Sequence, residues 1–135
     1  RNIVFQCVIF GNLSMLRYLT QFWGDGILSR IDKHKTSLTH IAARNGNLEI
    51  LQYLKDKNCI YTEKENRFLA SALDYCIAMK HSESFDYLVD LFPTDMLGWA
   101  LLNSASEGNL EIVKKLVTHK TNIEFKNEFG ASPLN

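Results

Sequence analysis

Between Ser37 and Leu54 the apolar positions fall into two short helical patterns that meet at a glycine. Leu38, Ile41 and Ala42 share one face of the first. Leu48, Ile50, Leu51, Tyr53 and Leu54 supply the apolar side of the second. Gly46 separates the two, and Asn47 follows as an N-cap with Ile50 three residues on. The small residues Ala42 and Ala43 allow another helix to approach the first closely. Neither helix is long enough to be stable alone in water, so the unit predicts neighbours.

The rest of the chain supplies them. The run G-N-L-E-I at Gly46–Ile50 recurs at Gly108–Ile112, and a partial copy, G-N-L, stands at Gly11–Leu13 with Met15 in the place of Ile50. Gly11 and Gly46 lie 35 residues apart, and 35 more reach His81. On that spacing Ala43 maps to Ala78 and Ala105, Ile50 to Phe85 and Ile112, and Leu54 to Val89 and Leu116. The prediction is one helical pair written four times, with the connector before the fourth copy shortened.

The stretch S-L-T-H-I-A-A-R-N-G-N-L-E-I-L at Ser37–Leu51 and the tail G-A-S-P-L-N at Gly130–Asn135 resemble the ankyrin repeat, whose pattern is G-x-T-P-L-H-x-A-A-x-x-G-x-x-x-I-V-x-x-L-L. His40, Ala42, Ala43, Gly46, Ile50, Leu51 and Leu54 match it. So do Ala105, Gly108, Ile112, Val113 and Leu116, while Gly130, Ser132, Pro133 and Leu134 match the opening of a further copy. The third copy departs from the pattern: His81 stands at the glycine, and Asp74 and Tyr75 replace Leu and His. The resemblance implies an all-α solenoid of about four helix-turn-helix repeats with short hairpin fingers, at about 1–34, 35–69, 70–96 and 97–129, with 130–135 opening another. The whole chain is then a single ankyrin repeat domain.

In order along the chain, helices are expected at Ile3–Phe10 and Leu13–Phe22, the second closed by the glycines of Trp23–Gly26. The first finger is expected at Ile27–Lys35 with its tip at Asp32–Lys35. Repeat two ends near Lys57 and Asn58, where Asn tolerates the left-handed backbone a glycine would take. The second finger is Ile60–Leu69, its run Glu63-Lys64-Glu65 read as a solvated loop. Helices follow near Ala72–Lys80 and Ser82–Leu91, with Ser82 as N-cap. Pro93 stops the second of these. Repeat four opens at Met96 with Gly98 and Trp99 in a turn. Trp99 is expected to fill the space left by the shortened finger, against the alternative of an exposed anchor for a partner. The last finger is Thr121–Phe129.

The first helix is nearly all apolar, where an end repeat should be polar outside. Preceding repeats, or another element, are therefore expected to cover it, and the chain reads as a piece of a longer protein. Arg1–Phe10 lacks a cleavage site and aligns with a repeat helix, so it is not read as a leader.

Composition narrows the function. Of 135 residues, 46% are hydrophobic and 22% charged, as in globular domains. Fifteen basic residues balance fifteen acidic ones. That argues against a nucleic-acid or anionic-membrane surface, both of which rest on excess Lys and Arg. Three widely spaced cysteines, Cys7, Cys59 and Cys76, read as reduced thiols in an intracellular, cytoplasmic setting, the host-cell cytoplasm included for a delivered effector. No apolar run approaches the ~20 residues of a membrane span.

Catalytic and metal constellations are not found. No nucleophile-elbow, phosphate-loop or dinucleotide glycine pattern occurs, and the histidines lack partners at zinc-ligand spacing. No catalytic residue, metal or cofactor is expected. His40 is expected to bond backbone at its turn; a Cys76–His40 pair stays open, because such pairs are spatial. The resemblance implies a protein-interaction module, a scaffold or adaptor segment. The alternative is a regulatory or substrate-targeting part of a multidomain enzyme or pathogen effector. Family contact positions carry over to Arg44, Asn45, Met79, Lys80, Ser106 and Glu107 at the helix ends, with Ile9 and Phe10 equivalent in repeat one. They carry over to Lys33, His34, Thr36, Phe68, Ser71, Glu128 and Phe129 on the fingers. Phe68, Met79 and Phe129 with Arg44 and Lys80 would form an aromatic–basic patch for a protein partner. The expected state is a monomer without small-molecule substrate.

Overall fold

A computed structural model describes residues 2–64 and 70–119. Eight α-helices run along these residues: α1 (Ile3–Ile9), α2 (Leu13–Trp23), α3 (Leu38–Asn45), α4 (Leu48–Asp56), α5 (Ala72–Met79), α6 (Ser82–Val89), α7 (Thr94–Glu107) and α8 (Leu110–His119). They pair as α1/α2, α3/α4, α5/α6 and α7/α8. The first members form one row in which α1 packs on α3, α3 on α5 and α5 on α7; α4, α6 and α8 pack in sequence behind them. This is the all-α solenoid expected. No strand is present among the described residues; one isolated antiparallel bridge joins Ile31 and Ser37.

Side-chain caps start six of these eight helices, and glycines close four of the eight. The side chains of Asn2, Asn12, Ser37, Asn47, Ser71 and Asn109 each accept a bond from the backbone N–H two or three residues on. Gly11, Gly46 and Gly108 take φ near +70° between the two helices of their pairs. The apolar faces then close one contiguous core running from Val4 to Leu116. Ile50, Leu51, Leu54, Phe85, Leu88, Ile112 and Leu116 are fully buried in it.

Three expectations need correction. First, the third pair is offset from the second by 34 residues, not 35. Lys80, with φ of 61°, takes the left-handed place of Gly46, and His81 takes the N-cap place of Asn47. Ser82 is therefore the first helical residue and not the cap. Ser84 and Phe85 stand where Ile50 and Leu51 stand, and Leu88 where Leu54 does. Ala78, matched to Ala43 on the longer spacing, is exposed, and Ile77 is buried in its stead.

Second, repeat four does not open at Met96 with Gly98 and Trp99 in a turn; α6 ends at Val89, ahead of Pro93, but Pro93 also starts the next helix. It is the N-cap of α7, and fourteen residues follow in one helix that carries Gly98 and Trp99 in its interior. Proline's fixed φ suits a helix start, where no N–H is needed. Third, Trp99 does not fill the shortened connector: it is 52% exposed, with Lys64 Nζ 5.1 Å from its ring centre. Gly98 is the buried member of the pair.

The first connector holds less extended chain than expected. Asp25–Ser29 is a 3-10 helix that buries Ile27 and Leu28. Only Ile31–Ser37 forms a hairpin. Its tip lies where expected: Lys35 N–H donates to Asp32 O (3.0 Å), Asp32 N–H to Thr36 O (3.0 Å), and Lys35 has φ of 61°. In α1, Val4, Phe5, Cys7 and Val8 pack into the core, leaving Ile3 and Phe10 outside. Met15, Tyr18 and Phe22 form an exposed stripe on α2, Tyr18 and Phe22 with parallel rings 6.3 Å apart.

Candidate functional site

The first-helix row and the Ile31–Ser37 hairpin enclose a groove of about 940 Å³. Phe5, Ile9 and Ile41 give it an apolar floor from α1 and α3. Arg30, Lys33, His34 and Arg44 stand around it, with Asn2, Ile31, Asp32, Thr36 and Asn45 completing the lining. The wall is rigid for a local reason. Asp32 Oδ1 accepts from the backbone N–H of both His34 (2.8 Å) and Thr36 (2.9 Å), so one carboxylate fixes the hairpin tip.

His40 anchors the base of the hairpin. Its Nδ1 accepts from Ser37 N–H (3.0 Å), and its Nε2–H donates to Glu63 O (2.9 Å). One ring thus ties the start of α3 to the chain that follows α4. Thr39 Oγ1 adds a second tie by accepting from Tyr61 N–H (3.0 Å). In the third pair Asp74 replaces the histidine. Asp74 Oδ2 accepts from Ser71 N–H (2.9 Å), and Oδ1 accepts from Asn103 Nδ2 of α7 (2.6 Å).

Neighbouring pairs are tied laterally. Asn45 Nδ2 donates to Ile9 O (3.1 Å), His81 Nε2 to Arg44 O (3.1 Å) and Asn109 Nδ2 to Ile77 O (3.4 Å). On the back row Arg17 lies over the Tyr53 ring (5.2 Å), and Lys115 pairs with Asp86 (2.7 Å).

The expected contact residues divide. Lys33, His34, Thr36, Arg44 and Asn45 line the one groove; Ile9 lines it too, whereas Phe10 stands outside, 78% exposed. Met79, Lys80, Ser106 and Glu107 are exposed at the ends of α5 and α7 but do not line it. Ser71 is a correction: at 3% exposure it caps α5, so its hydroxyl serves the helix and is closed to a partner. Phe68, Glu128 and Phe129 lie outside the described residues. Arg30, Ile31 and Ile41 belong to the lining and are missed by the sequence reading.

The two buried thiols are not primed for chemistry. Burial, with the Asp74 carboxylate nearby, pushes the Cys76 thiol up to about 12. Burial also raises Cys7. A reactive cysteine needs the opposite shift. Both His40 nitrogens are engaged with backbone groups, which gives Cys76 no base there. Among the described residues no group of three or more His, Cys, Asp or Glu side chains is placed to hold a metal ion, and no helix is long and apolar enough to cross a membrane.

No curated protein matches the sequence. The family model described as Ankyrin repeats (3 copies) matches residues 4–97, well over half of the chain. Repeats of this kind are generally protein-interaction modules and typically non-catalytic. With glycine-linked helix pairs, a histidine tied into the turn and a row of stacked first helices all in place, the chain belongs to the ankyrin repeat family.

Proposed function

We propose that this chain is a protein-binding scaffold or adaptor segment that holds its partner in the groove between the Ile31–Ser37 hairpin and the first-helix row. The observation that carries this reading is the groove itself: about 940 Å³, apolar at the floor and polar at the edge, on a backbone already fixed by Asp32 and His40. A preorganised wall loses little ordering entropy when a partner arrives. Arg44, Lys33, His34 and Thr36 make the principal contacts, and the exposed ends of α5 and α7 (Met79, Lys80, Ser106, Glu107) extend the surface along the stack. The free thiols, two of them buried, fit an intracellular, reducing setting.

The test is capture of partner protein on the immobilised chain, compared with a Lys33→Ala, Arg44→Ala, Met79→Ala variant. All three side chains are exposed, so the melting temperature should hold while capture falls. Capture that survives the triple substitution, or that drops only in step with the melting temperature, refutes the reading.

A further inference from the structure

We infer that the groove is built for an acidic segment of a partner protein, one that sets an apolar side chain between carboxylates. This rests on the groove being the binding face. The whole chain carries fifteen positive and fifteen negative side chains, yet the groove lining holds Arg30, Lys33 and Arg44 against the single carboxylate of Asp32. Asp32 offsets at most one of them, and its Oδ1 is engaged by the N–H groups of His34 and Thr36 at the hairpin tip, so two positive charges remain in excess. None of the three cations forms an ion pair among the described residues.

Their placement suits a short anionic segment. Arg44 stands in the last turn of α3, whereas Lys33 stands on the hairpin and Arg30 immediately before it, so the cations reach the apolar floor of Phe5, Ile9 and Ile41 from two separate elements. A carboxylate on each side of one apolar residue satisfies both elements. Arginine offers the planar fork that matches a carboxylate in two bonds. Three cations over a closed apolar floor are few for a nucleic-acid backbone. Affinity for that backbone grows with the number of phosphates neutralised, and the remainder of this chain carries net negative charge to oppose it.

The test is selection from a phage-displayed random 12-residue peptide library on the full 135-residue chain. The proposal expects selected peptides at least twofold richer in Asp and Glu than the input, carrying an apolar residue between them. A selected peptide, fluorescein-labelled, should bind at least tenfold more weakly to Lys33→Glu, Arg44→Glu. It should also weaken steadily from 50 to 500 mM salt, with the variant's melting temperature unchanged. Should the reversal variant fold poorly, Lys33→Gln, Arg44→Gln takes its place, with a smaller loss expected. Peptides that need Arg44 and compete with one another but carry no acidic excess overturn the partner chemistry and leave the groove as binding face. Acidic peptides indifferent to both substitutions overturn the siting. Failure to select any peptide counts against both. A labelled 20-nucleotide single-stranded DNA binding more tightly than the peptides, and lost in the double variant, overturns the proposal in favour of nucleic acid.

Discussion

Gly46 gives the sharpest energetic prediction. It holds φ of +69°, and a Cβ built on it would lie 2.6–2.8 Å from three atoms of the His81 ring. Gly46→Ala therefore incurs two separate costs. The left-handed backbone costs an L-residue about 1–2 kcal/mol. The ring must also move, and it is held there by its bond to Arg44 O at 3.1 Å; giving up such a bond costs about 0.5–1.5 kcal/mol. The expected loss is about 1.5–3.5 kcal/mol. Gly108 is the internal control. Its φ is +70°, but nothing lies within 4 Å of its added Cβ, so Gly108→Ala should cost only the backbone share, about 1–2 kcal/mol.

Urea unfolding followed by far-ultraviolet circular dichroism measures both, provided the slope is unchanged so that the midpoint reports stability. A double-mutant cycle isolates the contact. His81→Ala removes the ring, so Gly46→Ala in that background should cost about 0.5–1.5 kcal/mol less than in the parent chain. Equal losses at Gly46 and Gly108, together with no coupling to His81, would refute the reasoning.

Ile50→Ala and Ile112→Ala should each cost about 2–5 kcal/mol through cavity formation, since both are 0% exposed; Met15→Ala, at the equivalent place but 45% exposed, should cost under about 1 kcal/mol by the same unfolding assay. Ser71→Ala should lose about 0.5–2 kcal/mol as a cap deletion, and partner capture should fall only as far as folding does. The Cys76 thiol keeps its proton in the folded state up to about pH 12, whereas the unfolded thiol loses it near pH 8.5. Stability is therefore complete below the lower value and declines as pH rises between the two, by at most about 1.4 kcal/mol per pH unit. Cys76→Ala should flatten that alkaline limb in pH-dependent unfolding. With a thiol-reactive chromogenic disulfide, Cys59 should react before the buried Cys7 and Cys76.

The legible parts of the fold were those marked by residue types with a single job. Gly46 and Asn47 stand where a left-handed link and an N-cap are needed, and α3 and α4 begin and end around them as the pattern implies. Asn58 likewise adopts φ of 58°. The third pair was misread by one residue because Lys80, which adopts the same backbone, carries no sign of it in its side chain. Nor does the pattern distinguish a proline that ends one helix from one that starts the next, which hid the true beginning of α7. In the groove, the helix-end residues Arg44 and Asn45 were readable by resemblance. Arg30 and Ile31 were not, because the 3-10 turn at Asp25–Ser29 sets where the hairpin stem begins and leaves no periodic trace.

The lateral ties from Asn45, His81 and Asn109 all end on main-chain oxygens. Every amino acid supplies such an oxygen, so each copy can be seated by its successor whatever side chain it presents there. Substitution within one copy then leaves the alignment of the next intact, which is how a copy without its hallmark glycine and histidine still stands in line with the others.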